Sequence, residues 1–203
     1  NQIAFSGAKD FLEKYKDKTN DDQIIGHFGL GFYSAFMVAE KVSIDTLSYQ
    51  PGAVSVHWES EGGTEFVMEE GVKTVPGTTI TLWLHEDSTE FSNRWRAEEV
   101  ISKYCSFMPF PIYLMPKQDG NDQPINNSTP LYLKDPKDCT DEEYKNFYRD
   151  TFMDYKEPLF WIHLNMEYPF RLKGILYFPQ VNKQQVQLEK GQVKLYCNQV
   201  FIA

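Results

Sequence analysis

Apolar positions recur along this chain with two different periods, and the change falls near residue 40. Before it, Ala4, Ala8, Phe11, Leu12 and Tyr15 are spaced as one face of a helix. Ser6 is placed to cap that helix, with Gly7 just inside it. Asp17-Lys18-Thr19-Asn20-Asp21-Asp22 has no periodicity and predicts an exposed loop. A glycine-rich run follows, and then an apolar stretch that predicts a helix from Phe32 to about Ala39. From there the period drops to two. Val42–Leu47, Val54–Trp58 and Thr79–Leu84 each alternate, and Pro51-Gly52, Gly62-Gly63 and Pro76-Gly77 supply turn signals between them. Three consecutive strands of an antiparallel sheet with one covered face are expected.

A helix from about Ser92 to Met108 comes next, with Trp95, Val100, Ile101, Tyr104, Cys105 and Met108 on one side and Pro109 and Pro111 to stop it. These aromatics are expected in the core. Residues 117–130 are polar, contain Gly and Asn, and lack a hydrophobic pattern, so they predict an interdomain linker. Thr140-Asp141-Glu142-Glu143 is a capping box that opens a helix carrying Tyr144, Phe147 and Tyr148. Strand-like runs follow at Leu159–Leu164, Phe170–Phe178 and Val193–Ile202. The expected organisation is one α/β unit over 1–116, a linker over 117–130 and a second α/β unit over 131–203. The chain starts at Asn1 without a methionine and ends in the strand-like Phe201-Ile202-Ala203. That gives the expectation of a stretch of something longer.

Composition narrows the possibilities. Of 203 residues, 41% are hydrophobic and 15% aromatic, enough for a core. The formal net charge of −9 argues against a general affinity for nucleic-acid backbone, which needs clustered Lys and Arg. Cys105, Cys139 and Cys197 form no C-x-x-C pair, so neither a disulfide framework nor a zinc site is indicated. Reduced thiols in a cytosolic protein account for them most simply. No apolar run approaches the length of a membrane span.

The candidate chemistry lies in Gly26-His27-Phe28-Gly29-Leu30-Gly31-Phe32, with three glycines in the order G-x-x-G-x-G ahead of the predicted helix. Glycine lets another group approach the backbone, and a helix start presents free N–H groups to a phosphate. A tight structural turn explains the same glycines. A Walker-type loop requires Lys and Ser/Thr after its last glycine, whereas Phe32 and Tyr33 stand here. The dinucleotide fingerprint requires the reverse glycine order after a strand. His27, His57, His85 and His163 are not at metal-ligand spacing, and no serine has a nucleophile-elbow context. Glu69-Glu70 and Glu98-Glu99 read as solvated faces. No general base is evident.

Gly26–Phe36 closely resembles the glycine-rich loop of the ninety-kilodalton heat-shock chaperone family, in its bacterial form. Ile3–Lys9, Trp58-Glu59-Ser60, Pro76–Ile80, Ile101–Tyr104, Thr140–Tyr148 and Leu195–Ile202 also resemble that family, in order, over essentially the whole chain. The resemblance implies an α+β fold: a partial two-layer α/β sandwich of the ATPase superfamily that includes gyrase, histidine kinases and MutL, followed by a partial second α/β domain. It implies the following roles. Residues 1 to about 31 hold the ATP lid; Gly26 and Gly29 belong to the nucleotide-binding set, and the glycines around Gly26 are suited to hinge motion. Backbone amides of Leu30, Gly31 and Phe32 face the ATP phosphates, and Thr78 lies beside the adenine. Phe5 stands where many members have a nucleotide-contacting Lys. The short segment 117–130 fits bacterial members, because eukaryotic ones carry a long charged linker there.

The family's catalytic Glu, magnesium-binding Asn and adenine-reading Asp are expected upstream of Asn1, and its γ-phosphate Arg downstream of Ala203. The resemblance therefore implies an ATP-dependent, cytoplasmic chaperone. It would use ATP with magnesium, bind unfolded or partly folded clients and possible co-chaperones, and form a homodimer when intact. This stretch alone is expected to be monomeric and without ATPase activity. A DNA-acting ATPase of the same superfamily and a non-catalytic interaction module, using Trp161, Tyr168, Phe170 and Tyr177, are the alternatives.

Overall fold

A computed structural model describes residue 13 and residues 28–115, 123–169, 171–180, 193–197 and 199–203. The expected first helix, the loop at 17–22, Phe5, Gly26, His27 and most of the expected lid lie outside the described residues. So do Pro116, residues 117–122 of the expected linker, and Phe170. The chain divides into two compact units, Asn1–Val100 and Ile101–Ala203.

The first unit is built on an antiparallel sheet. Strands β1 (Ala39–Leu47), β2 (Val56–Ser60), β3 (Val67–Glu70) and β4 (Gly77–Leu84) lie in the order β3-β2-β1-β4. Val42, Ile44 and Thr46 of β1 pair with Leu82, Ile80 and Thr78 of β4, and Ile44 also faces Trp58 of β2. Residues two apart in a strand share a face. One face is therefore Val42, Ile44, Thr46, Trp58, Thr78, Ile80 and Leu82. The other carries Lys41, Ser43, Asp45, His57 and Glu59. The three predicted strands are present, and β3 is a fourth that alternation did not reveal. Gly62 turns the chain from β2 toward β3 with φ 83°, and a Cβ there would lie 3.0 Å from the Phe36 ring.

The predicted helix at Phe32–Ala39 is instead a 3-10 helix over Gly31–Met37, and β1 begins at Ala39. One local cause is visible. Ser34 Oγ donates to the Gly31 carbonyl at 2.6 Å, competing for the acceptor that an α-turn would use.

The helix predicted from about Ser92 to Met108 is shorter than expected. It spans Arg94–Tyr104 (α1) and crosses the division between the units. Asn93 Oδ1 accepts from the Trp95 amide at 2.9 Å near its start. The expectation of a packed aromatic face fails at Trp95, which is 79% exposed, because no described element lies across it.

In the second unit, Phe107 is the centre of an aromatic core with Tyr132, Phe147 and Tyr196. Helix α2 (Asp141–Phe152) begins with the predicted capping box: Thr140 Oγ1 accepts from the Glu143 amide, and Glu143 Oε2 accepts from the Thr140 amide at 2.8 Å. Its buried Tyr144 and Tyr148 pack on the hairpin of β5 (Phe160–Met166) and β6 (Leu172–Phe178), through Trp161 and Tyr177 respectively. The last strand-like run is two short strands, β7 (Tyr196–Cys197) and β8 (Val200–Phe201), with Gln199 at φ 64°. Within 123–130, Asn126 and Pro130 are buried.

Candidate functional site

The expected site residues fall at two positions on the first unit. Gly29 has φ 65°, a left-handed conformation that glycine adopts without a Cβ penalty. Leu30 is half exposed and precedes the 3-10 helix; its carbonyl accepts from the Tyr33 amide at 3.1 Å. Gly31 is exposed, and a Cβ built on it would meet nothing within 4 Å. The glycine backbone thus opens onto free space. It leads into seven residues of 3-10 helix, so the dipole of a long α-helix does not stand behind it. Gly26 lies outside the described residues.

Phe32 fixes this segment on the sheet. Its ring meets Trp58 edge-on with centroids 5.8 Å apart. Trp58 itself stacks on Phe66 at 6.5 Å. Thr78 belongs to the same face as Trp58, because Trp58 faces Ile44, Ile44 faces Ile80, and Thr78 is two residues before Ile80. The sheet register therefore brings Phe32 and Thr78 to one side of the sheet. The exposed Thr78 hydroxyl lies 2.8 Å from that of Thr46. Thr46 was not foreseen. Alternation places it on a strand, but only the β1–β4 register makes it a neighbour of Thr78.

The remaining candidates are held in structural contacts. His57 Nδ1 lies 2.8 Å from Asp45 Oδ1, and this contact, reinforced by Glu69 and Glu59, raises the imidazole above its ordinary range. His163 bridges the Tyr144 hydroxyl at 2.7 Å and the Tyr132 carbonyl at 3.3 Å. Glu69 and Glu70 are exposed on β3. Among the described residues, no group of three or more His, Cys, Asp or Glu is arranged to hold a metal ion. None of the three cysteines is in a disulfide. Trp161 and Tyr177, candidates for a partner surface, are turned onto α2, whereas Tyr168 is 88% exposed. No described helix is long and apolar enough to cross a membrane.

An antiparallel sheet carrying a glycine-rich segment on one face, followed by a second unit of helix and strands, defines a mixed α/β protein. The sequence model described as "Hsp90 protein" matches residues 115–203. Over its whole length the chain is 51% identical to a chaperone protein HtpG of Bacteroides fragilis, covering 30% of that protein. It is 46% identical to one from Porphyromonas gingivalis, again over all of this chain and 30% of the relative. A third, from Desulfitobacterium hafniense, is 37% identical over 98% of this chain and 32% of its own length. The chain is thus similar over its whole length to bacterial HtpG chaperones, and residues 115–203 match the Hsp90 protein model. It spans about a third of the length of these relatives.

Proposed function

We propose that this chain forms part of an ATP-dependent molecular chaperone, contributing the phosphate-facing and base-facing edges of its nucleotide site. The observation that carries this reading is the shared sheet face of the glycine segment, anchored through Phe32, and the Thr78 hydroxyl. The amides of Leu30, Gly31 and Phe32 would hold the phosphates, and Thr78 the adenine or a water beside it. Gly29 and Gly31 fit this role, since one has left-handed φ and the other faces open space. ATP with magnesium would supply the energy of a conformational cycle acting on unfolded or partly folded proteins. The residues here bind and orient the nucleotide, and the chemistry belongs to groups elsewhere in the whole protein.

The rest of the reading rests on the similarity to the HtpG relatives. The nucleotide domain would run to about 116, with 117–130 joining it to the middle domain from 131. The whole protein would be a cytoplasmic homodimer open to co-chaperones. A DNA-acting member of the same ATPase superfamily is disfavoured by the net charge of −9.

A hybrid tests the proposal. This chain replaces the matching stretch of the Bacteroides fragilis relative, and ATP-dependent suppression of client aggregation is measured. Retained activity that disappears in the Thr78→Val hybrid is expected. Full activity of a hybrid carrying bulky residues at both Gly29 and Gly31 would overturn it. The chain alone is expected to show no turnover, and contaminant-free hydrolysis by it would overturn that part.

A further inference from the structure

Two neighbouring threonines on β4 have different fates. The Thr79 hydroxyl, on the polar face, accepts a hydrogen bond from Lys73 Nζ at 3.0 Å. The Thr78 hydroxyl, on the apolar face, lies 2.8 Å from Thr46 Oγ1, its direct cross-strand partner. Two hydroxyls in contact share one proton between them and leave one pointing away. A solitary threonine hydroxyl turns among its staggered positions, and fixing it on binding costs entropy. Thr46 removes part of that freedom before any ligand arrives.

The rung that carries Thr46 is itself held from behind. The side chain of buried Ser55 donates from Oγ to the Thr46 carbonyl at 3.4 Å and accepts from the Lys73 amide at 3.1 Å. Gly71 makes room for it: a Cβ there would fall 2.5 Å from Ser55 Oγ and 3.0 Å from the Val56 carbonyl carbon. Gly77, just before Thr78, has φ 134°, so the turn into β4 uses backbone that side chains rarely allow. The loop from Gly71 to Gly77 thus ties both ends of the threonine pair.

We propose that Thr46 is a positioning residue for base recognition: its hydroxyl sets the direction of the Thr78 hydroxyl and so sharpens the choice of adenine over guanine. This rests on the nucleotide reading of Thr78 above. A group that presents a directed hydrogen bond discriminates between bases whose edges place donors and acceptors differently. An undirected hydroxyl adapts to either.

The test uses Thr46→Val, Thr46→Ser, Thr78→Val and the double Thr46→Val/Thr78→Val variant. ATP and GTP affinities are measured on the hybrid with the Bacteroides fragilis relative. The Thr78 methyl is followed by NMR in the chain itself. Thr46→Val is expected to weaken ATP about three- to tenfold, the scale of one neutral hydrogen bond, and to change GTP affinity less. Thr46→Ser should restore both, and χ1-dependent couplings of Thr78 should become averaged only in the Val variant. The effect should vanish in the Thr78→Val background. Unchanged ATP affinity in Thr46→Val, alongside weakened binding in Thr78→Val, overturns the positioning role alone. Unchanged affinity in Thr78→Val overturns the nucleotide reading of that residue and this proposal with it. An equal loss from Thr46→Val with and without Thr78 shows action by another route and also overturns it.

Discussion

Phe32 and Trp58 meet edge-on with ring centroids 5.8 Å apart, and this contact joins the glycine segment to the middle of the sheet. Trp58 lies on β2 opposite Ile44 of β1, so the segment is fixed beside the two strands richest in cross-strand partners. Edge-to-face aromatic pairs contribute about 0.5–1.5 kcal/mol beyond the area they bury. The glycine backbone gains a defined place without a long helix behind it.

The two glycines beside this contact should therefore separate stability from binding. Gly29→Ala puts a Cβ on a backbone with φ 65° and is expected to cost about 1 kcal/mol in urea unfolding. Gly31→Ala meets nothing within 4 Å and should change stability by less than about 0.5 kcal/mol. If the Gly31 amide faces phosphate, the same variant weakens ATP in the hybrid. Equal stability losses from the two would contradict the backbone geometry.

The Asp45–His57 pair should make the first unit sensitive to pH. The Asp45 contact is the largest cause of the raised imidazole pKa, with Glu69 and Glu59 adding to it. A raised folded value means that the pair stabilises fully below the unfolded histidine pKa, near 6.5. That contribution is lost as the pH rises through the folded value. Lys41 stands on the same face and engages Glu59 at 3.3 Å, which moderates the local negative charge. Titration of the His57 ring protons by NMR should give a midpoint above that of an unfolded histidine. Asp45→Asn should bring it back down, and an unmoved midpoint would exclude the pair as the cause.

Features set by neighbouring residues in the sequence were legible, and those set by register were not. The Thr140–Glu143 capping box is complete within four residues and forms as written. β1, β2 and β4 betrayed themselves by one-sided alternation. β3 did not: Val67-Met68-Glu69-Glu70 is exposed throughout and becomes a strand by pairing with β2. The run Val193–Ile202 reads as one strand, yet Gln199 at φ 64° folds it into β7 and β8. The glycine motif located the candidate site, whereas the Thr46–Thr78 partnership depends on a register between residues 32 positions apart. Trp95 sits at helical spacing for the core face, yet it is 79% exposed while Val100, Ile101 and Cys105 on that face are half-buried.

The capping box carries a second pH dependence of opposite sign. The Lys134 ammonium, 2.8 Å away, and the Thr140 amide and hydroxyl hold the Glu143 carboxyl down at about 2. A depressed folded value means that its contribution is present above the ordinary carboxylate range, near 4.5, and is lost as the pH falls toward 2. α2 should therefore loosen across that interval, followed by amide exchange at Glu143 and Tyr144. Glu143→Gln should flatten the profile. Thr140→Ala should cost about 1 kcal/mol at neutral pH through the lost N-cap.

Asn126 should be the most sensitive polar residue of the second unit. It lies in a stretch whose composition reads as a linker, but it is only 8% exposed. Its Oδ1 accepts from the Ile112 amide at 2.7 Å, and its Nδ2 donates to the carbonyls of Met108 at 3.0 Å and Phe110 at 2.8 Å. One side chain thus satisfies three backbone groups of the proline-containing bend after α1, where Pro109 and Pro111 prevent regular pairing. The Ile125 amide donates to the Ile112 carbonyl at 2.8 Å, and the Asn127 amide to the Ser106 carbonyl at 2.7 Å, so the backbone on both sides is held as well. Asn126→Leu keeps the branched shape, with somewhat larger methyl groups, and strands all three partners. It should lower stability by about 2–4 kcal/mol, since each unpaired buried polar group costs about 1–3 kcal/mol and the bend relaxes partly toward water. Asn126→Asp keeps the acceptor for Ile112 but turns the donor toward Met108 and Phe110 into a second acceptor, so at neutral pH it should destabilise as strongly. Urea unfolding followed by tryptophan fluorescence of Trp161 reads both. A loss below about 0.5 kcal/mol for either would show that the bend does not depend on Asn126.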